Sequence, residues 1–263
     1  YPTPALSIYL NSSAQTSGLQ AGIQITASHN PYYDNGVKFF DNNGYKINNS
    51  LEKIIEENYF SYNEEIEEGN NKASKLDYPD SFNQSYIDYL DDYFRLKMDS
   101  VNYPEKKFNI LVDCANGAKS KIIRIILKDS FINIIPIHDV ASGKNINENC
   151  GATNTNNLKE FISDFNHIKA SKSNHDKIVA DKALKIDLGV AFDGDGDRAI
   201  FISPLGEEIN GDDTLYILSL FHKKFNNLKS VVGTKMTNYG IQNLYKSNDV
   251  KFIETDVGDK YVL

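Results

Sequence analysis

The sequence predicts an α/β protein: consecutive α/β domains with mixed, mostly parallel sheets sandwiched by helices. Three observations lead there. From Phe108 onward, apolar runs of strand length alternate with segments of helical period, the pattern of right-handed crossovers in a parallel sheet. A second strand–helix–strand series begins at Val231. Between them, the acidic hexapeptide Asp193-Gly194-Asp195-Gly196-Asp197-Arg198 directly follows a strand, where ligands gather in such sheets.

In chain order, Tyr1-Pro2-Thr3-Pro4 opens onto a polar stretch from Asn11 to Gln20, with no element assigned. Gly22–Thr26 reads as a strand with Ile23 and Ile25 on one face. It runs into Ala27-Ser28-His29-Asn30-Pro31, a loop stiffened by Pro31, which biases Asn30 away from helix. Asp34-Asn35-Gly36 turns the chain, Val37–Phe40 is a strand, and Asp41–Gly44 turns it again. Leu51–Phe60 has helical period. Residues 61–80 are acidic and aperiodic and mark a domain boundary.

Tyr86, Tyr89, Leu90, Tyr93 and Phe94 recur at helical spacing, so 82–97 is an amphipathic helix whose aromatic stripe is expected in the core. Phe108–Val112 is a strand, about 118–128 a helix, Phe131–Ile137 a strand, and a further helix starts near 156. Residues 163–180 read as a solvated insertion, and metal binding by its His167 and His175 is not expected. Lys185–Phe192 is a strand, Ala199–Ser203 and Glu207–Asn210 form a hairpin, and Thr214–Phe225 is helical. Val231–Lys235, Tyr239–Lys246 and Val250–Val257 read as strand, helix and strand.

The 263 residues suffice for two ordinary domains or parts of three. A formal net charge of −8 argues against a nucleic-acid partner held by bulk charge. No apolar run reaches the roughly 18 residues of a membrane span. The expected setting is cytoplasmic, with Cys114 and Cys150 as reduced thiols. They form no CxxC pair and no histidine cluster lies near them in sequence, which argues against zinc. The first residue is Tyr1, and Asp259–Val262 reads as the start of an element, so both ends are expected to be cut.

Asp193, Asp195 and Asp197 place three carboxylates at alternate positions, with glycines that let the backbone bend and converge them. Such a set repels itself unless a cation sits within it, and hard oxygen ligands suit Mg²⁺ or Ca²⁺. The competing reading is a solvated acidic turn. An EF-hand is excluded, because its sixth and twelfth positions fall on Arg198 and Pro204. Arg198 either holds a phosphate or neutralises the cluster. Ser28 lies in a constrained loop without a hydrolase triad or a Gly-x-Ser-x-Gly elbow. It either carries a phosphoryl group or caps a backbone amide.

Thr26–Pro31, Lys38 ten residues after the serine, and Asp193–Arg198 together resemble the α-D-phosphohexomutase family. Asp34–Phe40, Lys144–Asn147 with Cys150–Thr153, Gly233–Gly240 and Val257–Val262 are similar to its amino-sugar branch. The resemblance covers nearly the whole chain outside 163–180. It implies a phosphoserine at Ser28 and Mg²⁺ held by Asp193, Asp195, Asp197 and a phosphoserine oxygen. It also implies Lys38 as general acid/base, and His29 and Arg198 on phosphate or the reacting hydroxyl. Cationic neighbours would then lower the Lys38 pKa.

The implied reaction converts glucosamine 6-phosphate to glucosamine 1-phosphate through a 1,6-bisphosphate, for amino-sugar nucleotide and cell-wall synthesis. Alternatives are a phosphomannomutase or phosphoglucomutase of the same family, or a non-catalytic Mg²⁺-binding paralogue. The resemblance implies domain 1 over 1–80, domain 2 over 81–206 and the start of domain 3 over 207–263. The N-terminal strand, the sugar-selecting loop and domain 4 would be missing, so this chain alone is expected to turn over poorly.

Overall fold

The computed structural model describes residues 1–13, 18–62, 80–98, 107–127, 131–166, 185–226 and 228–262. The chain starts with helix α1 (Thr3–Ser13), where the sequence reading assigned no element. Pro2 and Pro4 are compatible with this helix start, since proline is tolerated in a first helical turn. Ala5 and Leu10 are buried, and Ala5, Leu6 and Tyr9 meet Tyr86 and Ile122. That contact is tertiary, and eleven residues of period are too few to stand out locally.

β1 (Ala21–Ile25) and β2 (Val37–Asp41) pair antiparallel, with Ile23 opposite Phe39 and Ile25 opposite Val37. Gly22 faces α1 so closely that a Cβ there would lie 2.5 Å from Leu10 Cδ1. Ile23 and Ile25 do share a face, but it is exposed, at 59% and 67%. α2 (Asn49–Ser61) follows, capped by the Asn48 side chain accepting from the Leu51 N–H at 2.9 Å. Most of the expected boundary at 61–80 lies outside the described residues.

α3 (Asp80–Met98) carries the aromatic stripe, which divides. Tyr86 is buried and Leu90 packs beside it, whereas Tyr89 and Tyr93 are about half exposed and stack on each other. The expectation of a core stripe therefore holds for Tyr86 and fails for Tyr89 and Tyr93, because α1 covers only part of the helix.

The central sheet has strand order β4-β3-β5-β6-β7. β3 (Phe108–Asp113) lies parallel to both β4 (Ile132–Ile137) and β5 (Leu188–Phe192). β6 (Ala199–Ile202) and β7 (Glu208–Ile209) return antiparallel as the hairpin. Alternation along the strands divides the core between the two faces. Leu111 and Ala191 meet α4 (Asn156–Phe165) through Leu158, Phe161, Ile162 and Phe165. Val112 and Val190 meet Ile123 and Cys114 on the other face. Each buried aliphatic side chain contributes about 1.5–3 kcal/mol.

The helix expected over 118–128 is a 3-10 helix at Ala118–Lys121 followed by turns. The start of the supposed insertion is core rather than solvated, since Phe165 is 3% exposed at the end of α4. His167 and His175 lie outside the described residues. α5 (Gly211–Asn226) leads to β8 (Ser230–Thr234), α6 (Tyr239–Ser247) and β9 (Lys251–Thr255), with β8 and β9 parallel. α7 (Asp259–Val262) ends the described chain.

Candidate active site

The hexapeptide leaves β5 and turns at once. The Gly196 N–H donates to the Asp193 carbonyl at 3.0 Å, and Gly196 has φ +69°, which a side chain would strain. The turn converges Asp193, Asp195 and Asp197 so that one oxygen of each lies within 4.8 Å of the others. Asp193 and Asp195 are buried, and the Asp197 side chain is 20% exposed.

Ser28 comes to this turn from the loop between β1 and β2, at φ +55°. Its Oγ donates to Asp193 Oδ2 at 2.5 Å, across 165 positions. Asn147 holds the loop in place: its Nδ2 donates to the carbonyls of Ser28 at 3.1 Å and Asn30 at 2.9 Å. The two loops touch at Gly194, where a Cβ would lie 2.7 Å from the Ser28 carbonyl oxygen.

Lys38 projects from β2 and bridges two carboxylates, with Nζ 2.7 Å from Asp195 Oδ2 and 2.8 Å from Asp197 Oδ2. Burial acts to lower its pKa, but hydrogen bonds to Asp195 and Asp197, and their charges, outweigh burial and hold the ammonium above the ordinary lysine value. The lowered pKa expected of Lys38 belongs to a site that holds a metal ion and phosphate-binding cations; in this arrangement its nearest charges are carboxylates.

Asp195 is tied down from three directions. The Thr3 hydroxyl donates to Oδ2 at 2.6 Å, the Thr3 N–H donates to the carbonyl at 2.9 Å, and Lys38 shares Oδ2. Burial would raise its carboxyl, but the bonds from Lys38 and Thr3 outweigh that and hold it below the usual range. Asp193 goes the other way: burial raises it, against the bonds from Ser28 and the Arg198 N–H. Arg198 donates that N–H to Asp193 Oδ1 at 3.1 Å, while its side chain is 54% exposed with Nε 4.0 Å from Asp193 Oδ2. The guanidinium therefore offsets the cluster and still faces solvent. His29 sits beside Ser28 with Nδ1 buried and without a hydrogen-bond partner among the described residues.

Two further residues escaped the sequence reading. Thr3 has no motif around it and reaches Asp195 only because α1 docks there. Lys119, 6% exposed, runs beneath Gly196, with Nζ donating to Tyr86 Oη at 2.9 Å and lying 4.9 Å from the centre of the Phe192 ring. Burial lowers its pKa to about 8.

The donor set is all oxygen, and Asp195 Oδ1 is buried with no partner among the described residues. An unpaired carboxylate oxygen facing two other carboxylates fits a hard divalent cation. Beside Asp197 a cleft of about 340 Å³ is lined by Ser7, Tyr45, Lys46, Asp259 and Lys260 among others.

Residues 1–66, 84–206 and 210–263 match the family models described as phosphoglucomutase/phosphomannomutase, alpha/beta/alpha domains I, II and III. Phosphoglucosamine mutase of Francisella philomiragia is 36% identical over 247 residues, covering 92% of this chain and 49% of that protein. Two solved structures share the fold. A phosphoglucomutase/phosphomannomutase family protein from Burkholderia thailandensis is 16% identical with a TM-score of 0.70, covering 99% of this chain and 51% of that one. Aspergillus fumigatus N-acetylphosphoglucosamine mutase, in complex with GlcNAc-6P and magnesium, is 20% identical with a TM-score of 0.57, covering 99% and 60%. The chain spans about half the length of the curated relatives it matches.

Proposed function

The chain belongs to the phosphoglucomutase/phosphomannomutase family, and from that premise we propose that it carries the phosphoserine and metal centre of a phosphoglucosamine mutase. The reaction interconverts glucosamine 6-phosphate and glucosamine 1-phosphate through phospho-Ser28 and the 1,6-bisphosphate. It feeds UDP-N-acetylglucosamine and cell-wall precursors in the cytoplasm. The observation that carries this reading is the Ser28 hydroxyl lodged on Asp193 within the acidic triad. The choice of amino sugar is supported by the names of the relatives.

Asp193, Asp195 and Asp197 would hold Mg²⁺, with an oxygen of phospho-Ser28 as a further ligand. An Mg²⁺ ion held there would draw charge from the oxygens of the transferring phosphoryl group. Arg198, exposed beside Asp193, adds positive charge on the same group. In the first step the bond from phosphorus to Ser28 Oγ breaks as a bond to the sugar hydroxyl oxygen forms. The hydroxyl loses a proton and Oγ gains one. Lys38, held as an ammonium on the same triad, supplies that proton and recovers one from the sugar hydroxyl. His29 contacts the phosphate or the reacting hydroxyl. In the second step the intermediate, turned around, returns its other phosphate to Ser28. The cleft beside Asp197, with Lys46 and Lys260 on its wall, is where the sugar phosphate lies. The working divisions fall at about residues 80 and 206, in line with the family motifs. Spanning half the length of its relatives, this chain alone turns over slowly.

The test does not depend on turnover. Incubation with Mg²⁺ and glucose 1,6-bisphosphate should add about 80 Da, one phosphoryl group, at Ser28. Ser28→Ala should gain nothing. No gain in the unaltered chain would overturn the reading. Comparing glucosamine, glucose and mannose phosphates as acceptors from the phosphorylated chain then decides the sugar.

A further inference from the structure

A second cluster of metal-capable side chains stands apart from the acidic triad. Asp113 ends β3, His138 follows β4, and Cys150 lies in the loop before α4. One ligand atom from each lies within 4.8 Å of the others. Asp113 and Cys150 have no exposed surface, and the His138 side chain is 25% exposed. We propose that Asp113, His138 and Cys150 form a separate site for a thiophilic divalent cation of the Zn²⁺ class.

The geometry supports the ion in two ways. His138 Nδ1 is 3.1 Å from Asp113 Oδ2, yet it is buried and makes no aligned hydrogen bond among the described residues. The two atoms therefore lie at ion-pair distance without a hydrogen bond that fixes one on the other. Zinc bonds of about 2.0–2.1 Å to nitrogen and oxygen, set tetrahedrally, put such atoms about 3.3 Å apart. Among the described residues Cys150 Sγ accepts one weak contact, from Asn116 Nδ2 at 3.8 Å. Asp113 is already oriented by two backbone donors, Ala115 N–H to Oδ1 and Gly151 N–H to Oδ2, both at 2.9 Å. Each carboxylate oxygen keeps a lone pair, and such outer bonds are how ligating carboxylates are usually held.

Chemistry separates the two sites. A thiolate, an imidazole and one carboxylate favour zinc, while three carboxylates favour magnesium. One carboxylate and one thiolate cancel a divalent charge, which suits a buried place. Cys150 ligates as the thiolate, so its proton leaves as the ion enters. The partly exposed edge of His138 leaves room for water as a fourth ligand. The ion's role is structural. It ties the loops after β3 and β4 to Gly151 and Ala152, and the Ala152 N–H donates to the Phe192 carbonyl just before Asp193.

The test is titration of the reduced chain with Co²⁺ in excess Mg²⁺, so that the acidic triad is kept occupied. One equivalent should produce a thiolate-to-cobalt charge-transfer band in the near ultraviolet, removed by Zn²⁺. Cys150→Ser and His138→Asn should lose the band, and Asp195→Asn should keep it. Asparagine tolerates the φ of +46° at position 138, and that side chain reaches the surface, so this variant carries the test if Cys150→Ser does not fold. Zn²⁺ should also raise the Tm of the unaltered chain by several degrees and leave His138→Asn unmoved. Absence of the band at one equivalent, or an equal band in His138→Asn, would overturn the site.

Discussion

Thr3 holds Asp195 twice, through its N–H to the carbonyl at 2.9 Å and its hydroxyl to Oδ2 at 2.6 Å, across 192 positions. The first turn of α1 therefore buttresses the middle carboxylate of the acidic loop. The positive end of its helix dipole favours a carboxylate beside it. Substituting Thr3→Val keeps the shape and removes the hydroxyl. Because the acceptor is a buried charge, the expected loss is about 1.5–3 kcal/mol in urea unfolding, with the circular dichroism unchanged. A loss near zero would show that Lys38 alone satisfies Oδ2.

Asp195→Asn should weaken Mg²⁺ binding at least about tenfold, equivalent to about 1.4 kcal/mol, because it removes one charge from a three-carboxylate set. Isothermal titration with Mg²⁺ reads this directly. An unchanged affinity removes Asp195 from the ligands.

Gly194→Ala tests how the halves of the site meet. The added Cβ would lie 2.7 Å from the Ser28 carbonyl and 2.8 Å from Asn147 Nδ2, closer than real contacts allow. The serine loop must retreat, so phosphorylation of Ser28 should slow by roughly 100-fold, since displacements of about 1 Å cost that much. Mg²⁺ affinity should change far less. A normal phosphorylation rate would mean that the loops dock otherwise.

The pH dependence of stability follows from Lys38 and Asp195. Asp195 is held below the ordinary carboxylate value of about 3.9, so its contribution is complete above that and is lost as pH falls through the depressed value. Lys38 is held above the ordinary value of about 10.4, so its contribution is complete below that and is lost as pH rises through the raised value. Asp193, raised by burial, opposes Asp195 on the acid side. Without metal, Lys38→Met removes the partner that depresses Asp195 most. The fall in urea midpoint on acidification below about pH 4 should then be shallower than in the unaltered chain. Identical acid limbs would show that the ion pair contributes nothing in solution.

Much of the fold was legible locally. The alternation from Phe108 to Phe192 marked β3, β4, α4 and β5, because each buries one regular face and so repeats at its own period. What escaped were elements whose burial is decided by distant partners. α1 had no element assigned until Tyr86 and Ile122 covered it, and the stripe on α3 looked uniform until α1 proved to cover only one side. The helix expected after Gly117 tightened into a 3-10 turn where that glycine meets Gly194, whose carbonyl oxygen would lie 2.1 Å from an added Cβ.

The same division runs through the site. By itself the sequence determined the acidic turn, because three carboxylates and the glycine that turns them lie within five residues. It marked Ser28 and Lys38 through a resemblance, which joined phospho-Ser28 to the triad through a metal ion and named no direct contact between side chains. Only the tertiary structure decided that Ser28 meets Asp193, that Lys38 lies between Asp195 and Asp197 with a raised pKa, and that Thr3 holds Asp195 from 192 residues away. It also gathered Asp113, His138 and Cys150, which no spacing motif links. The physical reason is range. Turn chemistry acts over a few bonds and is written in adjacent residues, whereas charge pairing and burial depend on which strand ends the folded sheet brings side by side.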